Sequence, residues 1–265
     1  MRWRKLLGGM AFAMVLQVAT AGPSEPRVVL VQPSGAVAPA NLLRLSVVFD
    51  APVEGAVLPR IALSHADGRP LQEPFLQQEL WSPDGKILTL LLHPGRVKTG
   101  LVAREQLGPI LSAGDDVVLT FDGHLIKQWH VGPVDATGPV ASAWKLSHLR
   151  SGSRQPLVVT LDGPIDGRDV DYLAVVGAAD RLVEGKAQLQ EGETTWTFTP
   201  VAAWQPGEYR LVVRDTLEDP SGNRLGGHFE TPIGAPQSRA TVTAIAFKIG
   251  PDSSSSGRAG LERSD

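Results

Sequence analysis

One segment of this chain occurs twice, and the repeat limits the possible folds more than any other feature of the sequence. Residues 45–55 have the sequence Leu-Ser-Val-Val-Phe-Asp-Ala-Pro-Val-Glu-Gly, and residues 157–167, at an offset of 112, have the sequence Leu-Val-Val-Thr-Leu-Asp-Gly-Pro-Ile-Asp-Gly. Both copies share Asp-x-Pro followed by an apolar residue, an acid and Gly, so chance is a poor explanation. The repeat predicts two homologous domains of ~100 residues each.

Two shorter matches extend the repeat. Residues 88–90 correspond to residues 196–198 at an offset of 108, and Gly114 corresponds to Gly207 at an offset of 93. Because these offsets differ by 15, the first domain must carry that many additional residues between the two matches. We assign them to the segment 95–111, which we call the insertion.

Short apolar or alternating segments, separated by Gly- and Pro-containing turns, fill the first domain. Residues 43–49, for example, alternate as expected for a strand with one buried face. Pro83-Asp84-Gly85 and Asp122-Gly123 are typical hairpin turns. The predicted strands cover residues 27–32, 43–49, 60–63, 75–81, 86–92, 117–121 and 124–131. Strands of this length and spacing, with no long amphipathic helix, predict an all-β fold built of β-sandwiches.

A β-hairpin is predicted in the second domain. Residues 207–213 alternate as in a half-buried strand, and residues 224–230 are a second strand candidate. The residues between them favour a long turn, because Pro220 fixes φ while Gly222 and Asn223 tolerate positive φ.

The N-terminal residues 1–21 have the features of a cleavable signal peptide. Arg2, Arg4 and Lys5 precede the apolar run 6–18, and Ala19-Thr20-Ala21 supplies the small-residue cleavage pattern. We therefore expect a periplasmic or secreted protein that starts near Gly22 and does not insert into a membrane after cleavage. An uncleaved membrane anchor is the alternative.

Composition excludes several classes of function. Loss of the three basic residues of the signal peptide lowers Lys+Arg from 25 to 22, against 28 Asp+Glu, which leaves a net charge of −6. Such an acidic chain is a poor binder of nucleic acids. The chain contains 0 cysteines, which excludes disulfides, thiolate metal sites and thiol catalysis.

The pattern of polar residues predicts no catalytic residue, no cofactor and no metal. Gly-x-Ser-x-Gly and His-Glu-x-x-His do not occur, and the six histidines are scattered. His124 and His130 could share one face of a strand as a metal pair, but exposed strand histidines are the simpler interpretation. The alternative for a hard cation is a calcium site, whose oxygen ligands would be Asp215, Glu218, Asp219 and Asn223.

The predicted domains are residues 22–133 and 134–235, with a linker at 134–139. After Pro232 the rhythm of turns and strands is lost, and residues 236–265 are expected to form a flexible tail.

The second domain resembles a bacterial Ig-like domain of the surface-layer (SbsA-like) type. The resemblance rests on the segments 157–166, 196–200, 207–213 and 217–223, and it extends over residues 139–233. The first domain shares only the early motif. The resemblance implies two tandem Ig-like β-sandwiches in an extracytoplasmic setting, and by analogy a structural or binding role.

Together these features predict a non-enzymatic binding or structural module of the bacterial cell envelope, whose partner is an envelope protein or a surface polymer. The alternative is an envelope hydrolase with a site built from loops. A binding surface is expected at the insertion, where Arg96, Lys98 and Arg104 would form a positive patch, and Trp81 is expected to be exposed. The competing interpretation is that the insertion only packs against the sandwich.

Overall fold

The computed structural model describes residues 25–98, 100–225 and 243–251. The predicted signal peptide lies outside the described residues, as do residues 226–242 and the end of the predicted tail. Two separate hydrophobic cores are formed, one between residues 31 and 131 and the other between residues 141 and 249. Within the described ranges, no helix has the length and apolar character needed to cross a membrane.

Two sheets enclose the first core. Its strands are β1 (Val28–Gln32), β2 (Val37–Pro39), β3 (Arg44–Phe49), β4 (Ile61–His65), β5 (Leu80–Trp81), β6 (Ile87–Leu91), β7 (Asp116–Phe121) and β8 (His124–Gly132). One sheet has the order β1-β3-β6-β5 and the other the order β2-β8-β7-β4. The strands are antiparallel except β2, which is parallel to β8. The insertion forms two short helices, α1 (Pro94–Val97) and α2 (Val102–Leu107).

Two sheets also enclose the second core. Its strands are β9 (Lys145–Leu146), β10 (Leu157–Thr160), β11 (Leu173–Val176), β12 (Gly185–Leu189), β13 (Thr195–Pro200), β14 (Gly207–Val213) and β15 (Thr243–Ile249). One sheet has the order β12-β13-β10-β9 and the other the order β11-β14-β15. Apart from single 3-10 turns, the connections carry one longer 3-10 helix, Gly167–Tyr172.

Both sandwiches have the strand order of a constant-type Ig domain. In that fold strands A, B, E and D form one sheet and strands C, F and G the other. The order β1-β3-β6-β5 corresponds to A-B-E-D and β4-β7-β8 to C-F-G, and the second domain repeats both sheets. The prediction of an all-β fold of Ig-like sandwiches is therefore confirmed.

The strand registers show that the repeat is structural. Val47 pairs with Leu88 in the first domain, and the residues at the predicted offsets, Val159 and Trp196, pair in the second.

The third offset, between β7 and β14, is wrong by one residue. Leu63 pairs with Leu119, and its counterpart Val175 pairs with Leu211, so the true offset is 92 rather than 93. An offset of 93 would instead make Val212 the counterpart of the buried Leu119. The side chain of Val212 lies on the opposite face of β14 from that of Leu211.

Two predictions for the second domain are wrong. Residues 243–249, assigned to the flexible tail, form β15, which pairs with β14 over its full length. The hairpin between 207–213 and 224–230 does not form as predicted, because β14 already lies between β11 and β15. Of the second strand candidate, only Arg224 and Leu225 are among the described residues, and Arg224 forms a single bridge with Glu218.

Aromatic residues organise the second core. Trp196 and Phe198 are buried and stacked, as their alternation predicts, with ring centroids 5.8 Å apart. At the start of β14 the hydroxyl of Tyr209 donates a hydrogen bond of 3.0 Å to the carbonyl of Gln205. This contact is the tyrosine corner of Ig-like folds, which stabilises the connection between strands E and F.

Candidate functional site

The junction between the two domains holds a network of side-chain hydrogen bonds and ion pairs. Residues 217–223 at the domain 2 end of the junction form a turn around Asp219. Its Oδ1 atom accepts hydrogen bonds from the backbone of Ser221 (2.8 Å) and Asn223 (2.9 Å), and Gly222 has a φ of 83°. The predicted turn chemistry is therefore present, whereas most of the strand expected after it, residues 226–230, lies outside the described residues.

This turn docks onto the first domain. The backbone N–H of Leu43 donates to the carbonyl of Pro220 at 3.0 Å, and the hydroxyl of Ser221 lies 3.2 Å from Asn41 Oδ1. The amide of Asn223 donates to the carbonyl of Asp135 at 3.0 Å. A turn of one domain thus contacts both the other domain and the linker.

The linker itself is fixed by a pair of hydrogen bonds. The side chain of Asn41 donates to the carbonyl of Asp135 at 2.7 Å and accepts from its backbone N–H at 2.8 Å. Because these two bonds and the bond from Asn223 hold Asp135, the linker does not act as a free hinge at this residue.

A buried ion cluster crosses the junction. The guanidinium of Arg44 on β3 contacts the carboxylates of Asp166 and Glu218 in the second domain, the latter at 2.5 Å. Asp166 also binds Arg168 at 3.1 Å. Burial would raise the pKa of Asp166, but the charges and hydrogen bonds of Arg44 and Arg168 outweigh it and hold this pKa below its ordinary value.

A second polar contact lies on the other side of the junction. The backbone N–H of Ser34 donates to the Glu193 carboxylate at 2.9 Å, and the Ser34 hydroxyl accepts from the backbone of Gly192 at 2.7 Å. Lys127 donates to the Ser34 carbonyl. Glu193 is only 1% exposed, and burial raises its pKa despite the bonds from Ser34.

Two further carboxyls at the junction have strongly raised pKa values. Burial, with a smaller effect of the nearby Asp166 charge, raises the pKa of Asp169 to about 6. Burial also raises the pKa of Asp219 to about 6, although hydrogen bonds from Asn223 oppose the change. Asp169 accepts a hydrogen bond of 2.8 Å from the backbone N–H of Glu218, and this bond helps to hold Glu218, a member of the ion cluster, in position.

The geometry of this junction suits attachment rather than catalysis. Among the described residues, no buried side-chain polar atom lacks a hydrogen-bond partner. The cavity beside Arg44 and Asp166 has a volume of about 10 Å³, which has room for one water molecule and not for a substrate. The polar groups therefore hold the two domains in one relative orientation.

The insertion does not present the predicted patch. Arg96 is buried and donates to the carbonyls of Gly108 (3.1 Å) and Pro109 (3.3 Å), and it also contacts Gln72. The prediction that Arg96 contributes to a surface charge is wrong, because its guanidinium satisfies backbone carbonyls inside the loop.

The other predicted binding residues have mixed positions. Arg104 is half-buried and donates to the carbonyls of Arg96 (2.7 Å) and Val97 (3.0 Å) at the end of α1, and Lys98 is half-buried. Trp81, expected to be exposed, is instead half-buried, because its ring packs against Phe49 with ring centroids 6.0 Å apart. Its ring nitrogen donates to Glu79 at 2.9 Å. A binding role for these three residues remains a prediction.

Two of the four proposed calcium ligands, Glu218 and Asp219, are engaged in other contacts. Glu218 binds Arg44 and Arg224, and Asp219 is occupied by the turn. Within the ranges that the structure covers, no group of three or more His, Asp or Glu side chains is arranged to hold a metal. His130 instead contacts Asp116 at 3.0 Å on the surface.

Sequence reasoning missed the junction, although one signal was present. Asp166 occupies the repeat position of Glu54, but Glu54 is exposed and Asp166 is buried. The shared acid is therefore not a requirement of the fold. The signal in the sequence is that the repeated acid and Gly are followed by the charged pair Arg168-Asp169 in the second domain, but by Ala56-Val57 in the first.

Strand order and register define this chain as a pair of tandem Ig-like β-sandwiches with a polar junction. A scan against protein-family models finds no match, and a search of curated proteins finds none.

Solved structures with detectable similarity are distant. A chimeric titin Z1Z2 shares 10% identity over 86% of this chain and 96% of that one, with a TM-score of 0.29. Domains 5-6 of the S-layer protein SbsC share 10% identity over 85% and 98%, with a TM-score of 0.24. The Group B Streptococcus pullulanase SAP shares 7% identity over 71% of this chain and 22% of that one, with a TM-score of 0.23. Similarities with such low TM-scores do not support the fold assignment, and the Ig-like assignment rests on the strand topology alone.

Proposed function

We propose that this protein is a non-enzymatic module of the bacterial cell envelope that holds two Ig-like domains in a fixed orientation for binding or for structural support. The observation that carries the proposal is the junction, where the largely buried Arg44 pairs with Asp166 and Glu218 across the two domains and the buried Glu193 accepts a hydrogen bond from Ser34. Buried ion pairs contribute little net stability and are instead suited to specifying one arrangement. A spacer or presentation module needs such a fixed arrangement.

The extracytoplasmic location is part of the proposal. It is supported by the charge and apolar pattern of residues 1–21 and by the surface-layer resemblance of the second domain. A chain with 0 cysteines also folds independently of the redox state of its compartment.

The insertion is proposed as a contact surface in a modified form. Arg96 belongs to its interior, but Leu101, Val102 and Leu107 are 40%, 66% and 56% exposed. An apolar contact flanked by Lys98 and Arg104 replaces the charged patch predicted from sequence.

The experiment is isolation of the tagged full chain from cell fractions of a bacterial host, followed by mass spectrometry and chemical cross-linking. We expect a mature N-terminus at Gly22, recovery outside the cytoplasm and cross-links to envelope components. Recovery of the intact N-terminus in the cytoplasm would contradict the location. Steady hydrolysis of envelope polymers by the purified chain would favour the hydrolase alternative.

A further inference from the structure

A groove runs along the outer edge of β1 and ends at the domain junction. Its walls are Val29 and Leu30 of β1, Ile126 and Lys127 of β8, and Leu189 and Glu193 of the second domain, and its volume is about 400 Å³. A second depression of about 440 Å³ continues it toward Glu25 and shares Ile126. We call the first of these the β1 groove.

Within the part of the chain that the structure describes, the main chain of β1 is unpaired on the side that faces this groove. There β1 is the terminal strand of its sheet and pairs with β3 alone. Among the described residues, no backbone hydrogen bond to residues 29–32 is made by any segment other than β3. An open strand edge is a template for pairing with another extended chain.

This edge lacks two of the usual protections against such pairing, charged residues and proline, although it keeps a third, a local irregularity of register. The sequence of β1 is Val-Val-Leu-Val-Gln, with no charge and no proline. Its register is irregular between Val28 and Leu30, and the neighbouring side chains Val29 and Leu30 are 59% and 41% exposed. Two consecutive exposed apolar residues would not occur in a regular strand with one buried face, because successive side chains alternate between faces.

Charge and shape select the kind of occupant. The groove contains one cation and one anion, Lys127 and Glu193, and both are already bound to Ser34. An uncharged ligand is therefore the complementary one. None of the lining residues is aromatic, so the flat rings that commonly support sugar binding are absent from the groove. A peptide fits this lining better than a polysaccharide.

The second domain narrows the choice further. Leu189 and Glu193 form a wall beside the edge of β1, and the junction fixes that wall in place. A wall beside the strand edge leaves less room than a fully open sheet edge, which favours a single extended segment over the edge of a second sandwich as the occupant.

We propose that the β1 groove binds an extended, uncharged peptide segment of a partner protein, which adds to the sheet as a strand next to residues 30–32. The inference rests on the proposed function, since it names the partner of a binding module. Main-chain hydrogen bonds hold the segment, and its apolar side chains cover Leu30 and Ile126.

The experiment selects displayed random nine-residue peptides on the full chain and measures their binding to variants by fluorescence anisotropy. We expect enriched peptides with apolar residues at alternate positions and no central charge. Leu30→Lys and Val29→Lys should each weaken binding at least tenfold, whereas Leu182→Lys, at a residue 66% exposed in the second domain, should leave it unchanged. Hydrogen exchange at residues 30–32 should slow on binding.

The melting temperature of each variant shows whether it remains folded. If Leu30→Lys does not fold, Val29→Lys is used in its place. The proposal is overturned if no peptide is enriched, or if enriched peptides bind Leu30→Lys and wild type equally. It is also overturned if Leu30→Lys abolishes self-association of the chain, or binding of a polysaccharide, instead of abolishing peptide binding. None of these results bears on the proposed extracytoplasmic location or on the proposed non-enzymatic role. The proposed function is therefore tested independently of the peptide-binding proposal.

Discussion

Arg44 shows how a single side chain connects the two domains. It belongs to a strand of the first core, yet its charge is neutralised entirely by carboxylates of the second. Removing one member of a buried cluster leaves its partners uncompensated, which costs more than the loss of an exposed pair.

We therefore predict that Arg44→Ala lowers the free energy of unfolding by about 3 kcal/mol, measured by urea denaturation. The matched control is Arg69→Ala, which breaks an exposed pair with Asp67 and should cost less than about 1 kcal/mol. Equal effects of the two substitutions would contradict a buried role for Arg44.

A second prediction at the scale of single residues follows from the raised pKa of Asp169. Because this pKa is raised from 3.8 to about 6 in the folded protein, the native state binds the proton more tightly than the unfolded state. Its contribution to stability is therefore present below pH 4 and is lost as the pH rises through about 6.

Asp169→Asn removes this dependence and keeps an acceptor for the backbone of Glu218. We expect the variant to gain up to about 3 kcal/mol over wild type at pH 7 and to match it near pH 4, measured by urea unfolding at both pH values. A variant that is less stable at pH 7 would show that the carboxylate charge is needed by the ion cluster.

At the scale of elements, the connection between β13 and β14 depends on the tyrosine corner. Tyr209→Phe removes the hydrogen bond to Gln205 and keeps the ring contacts with Trp204 and Phe247. We predict a loss of about 1 kcal/mol in the free energy of unfolding. The control is Tyr172→Phe. The ring of Tyr172 lies under Arg214, and its hydroxyl makes no hydrogen bond within the described structure. An equal loss of stability in this control would contradict a special role for the hydroxyl of Tyr209.

Most strands could be predicted from the sequence because alternation of apolar residues marks a half-buried strand directly. β15 was missed because its exposed positions are Ala244, Ala246 and Lys248, which have low strand propensity, and because a long connection separates it from β14. The short helices of the insertion were missed because α1 and α2 have only 4 and 6 residues, too few to establish a helical period.

The candidate site was predictable only in part. The turn at 217–223 could be recognised from Pro220, Gly222 and Asn223, since turn chemistry is local. Its docking partners Asn41 and Leu43 lie about 180 residues earlier in the chain, and no local pattern records such a contact. Arg96 was misassigned for the same reason, because the carbonyls that it binds are brought together only by the folded loop.

At the scale of the whole molecule, the junction should make the two domains move as one body. We predict that small-angle X-ray scattering of the wild-type chain fits one domain arrangement, and that 0.5 M salt leaves the profile unchanged because buried pairs are weakly screened. The double substitution Arg44→Ala and Glu193→Ala should broaden the distribution of distances. A wild-type profile that needs several domain orientations would refute a fixed junction.

The position of β15 sets the order in which the chain can fold as it is synthesised. All strands of the first sandwich lie within residues 28–132, so that domain can close while the rest of the chain is still emerging. The second sandwich cannot complete the β11-β14-β15 sheet until residue 249 has emerged, and until then one edge of β14 has no partner. Its last pairing spans a long stretch of sequence, which slows closure. The second domain therefore finishes folding against a first domain that is already formed, and Leu43 and Arg44 are in place to receive it.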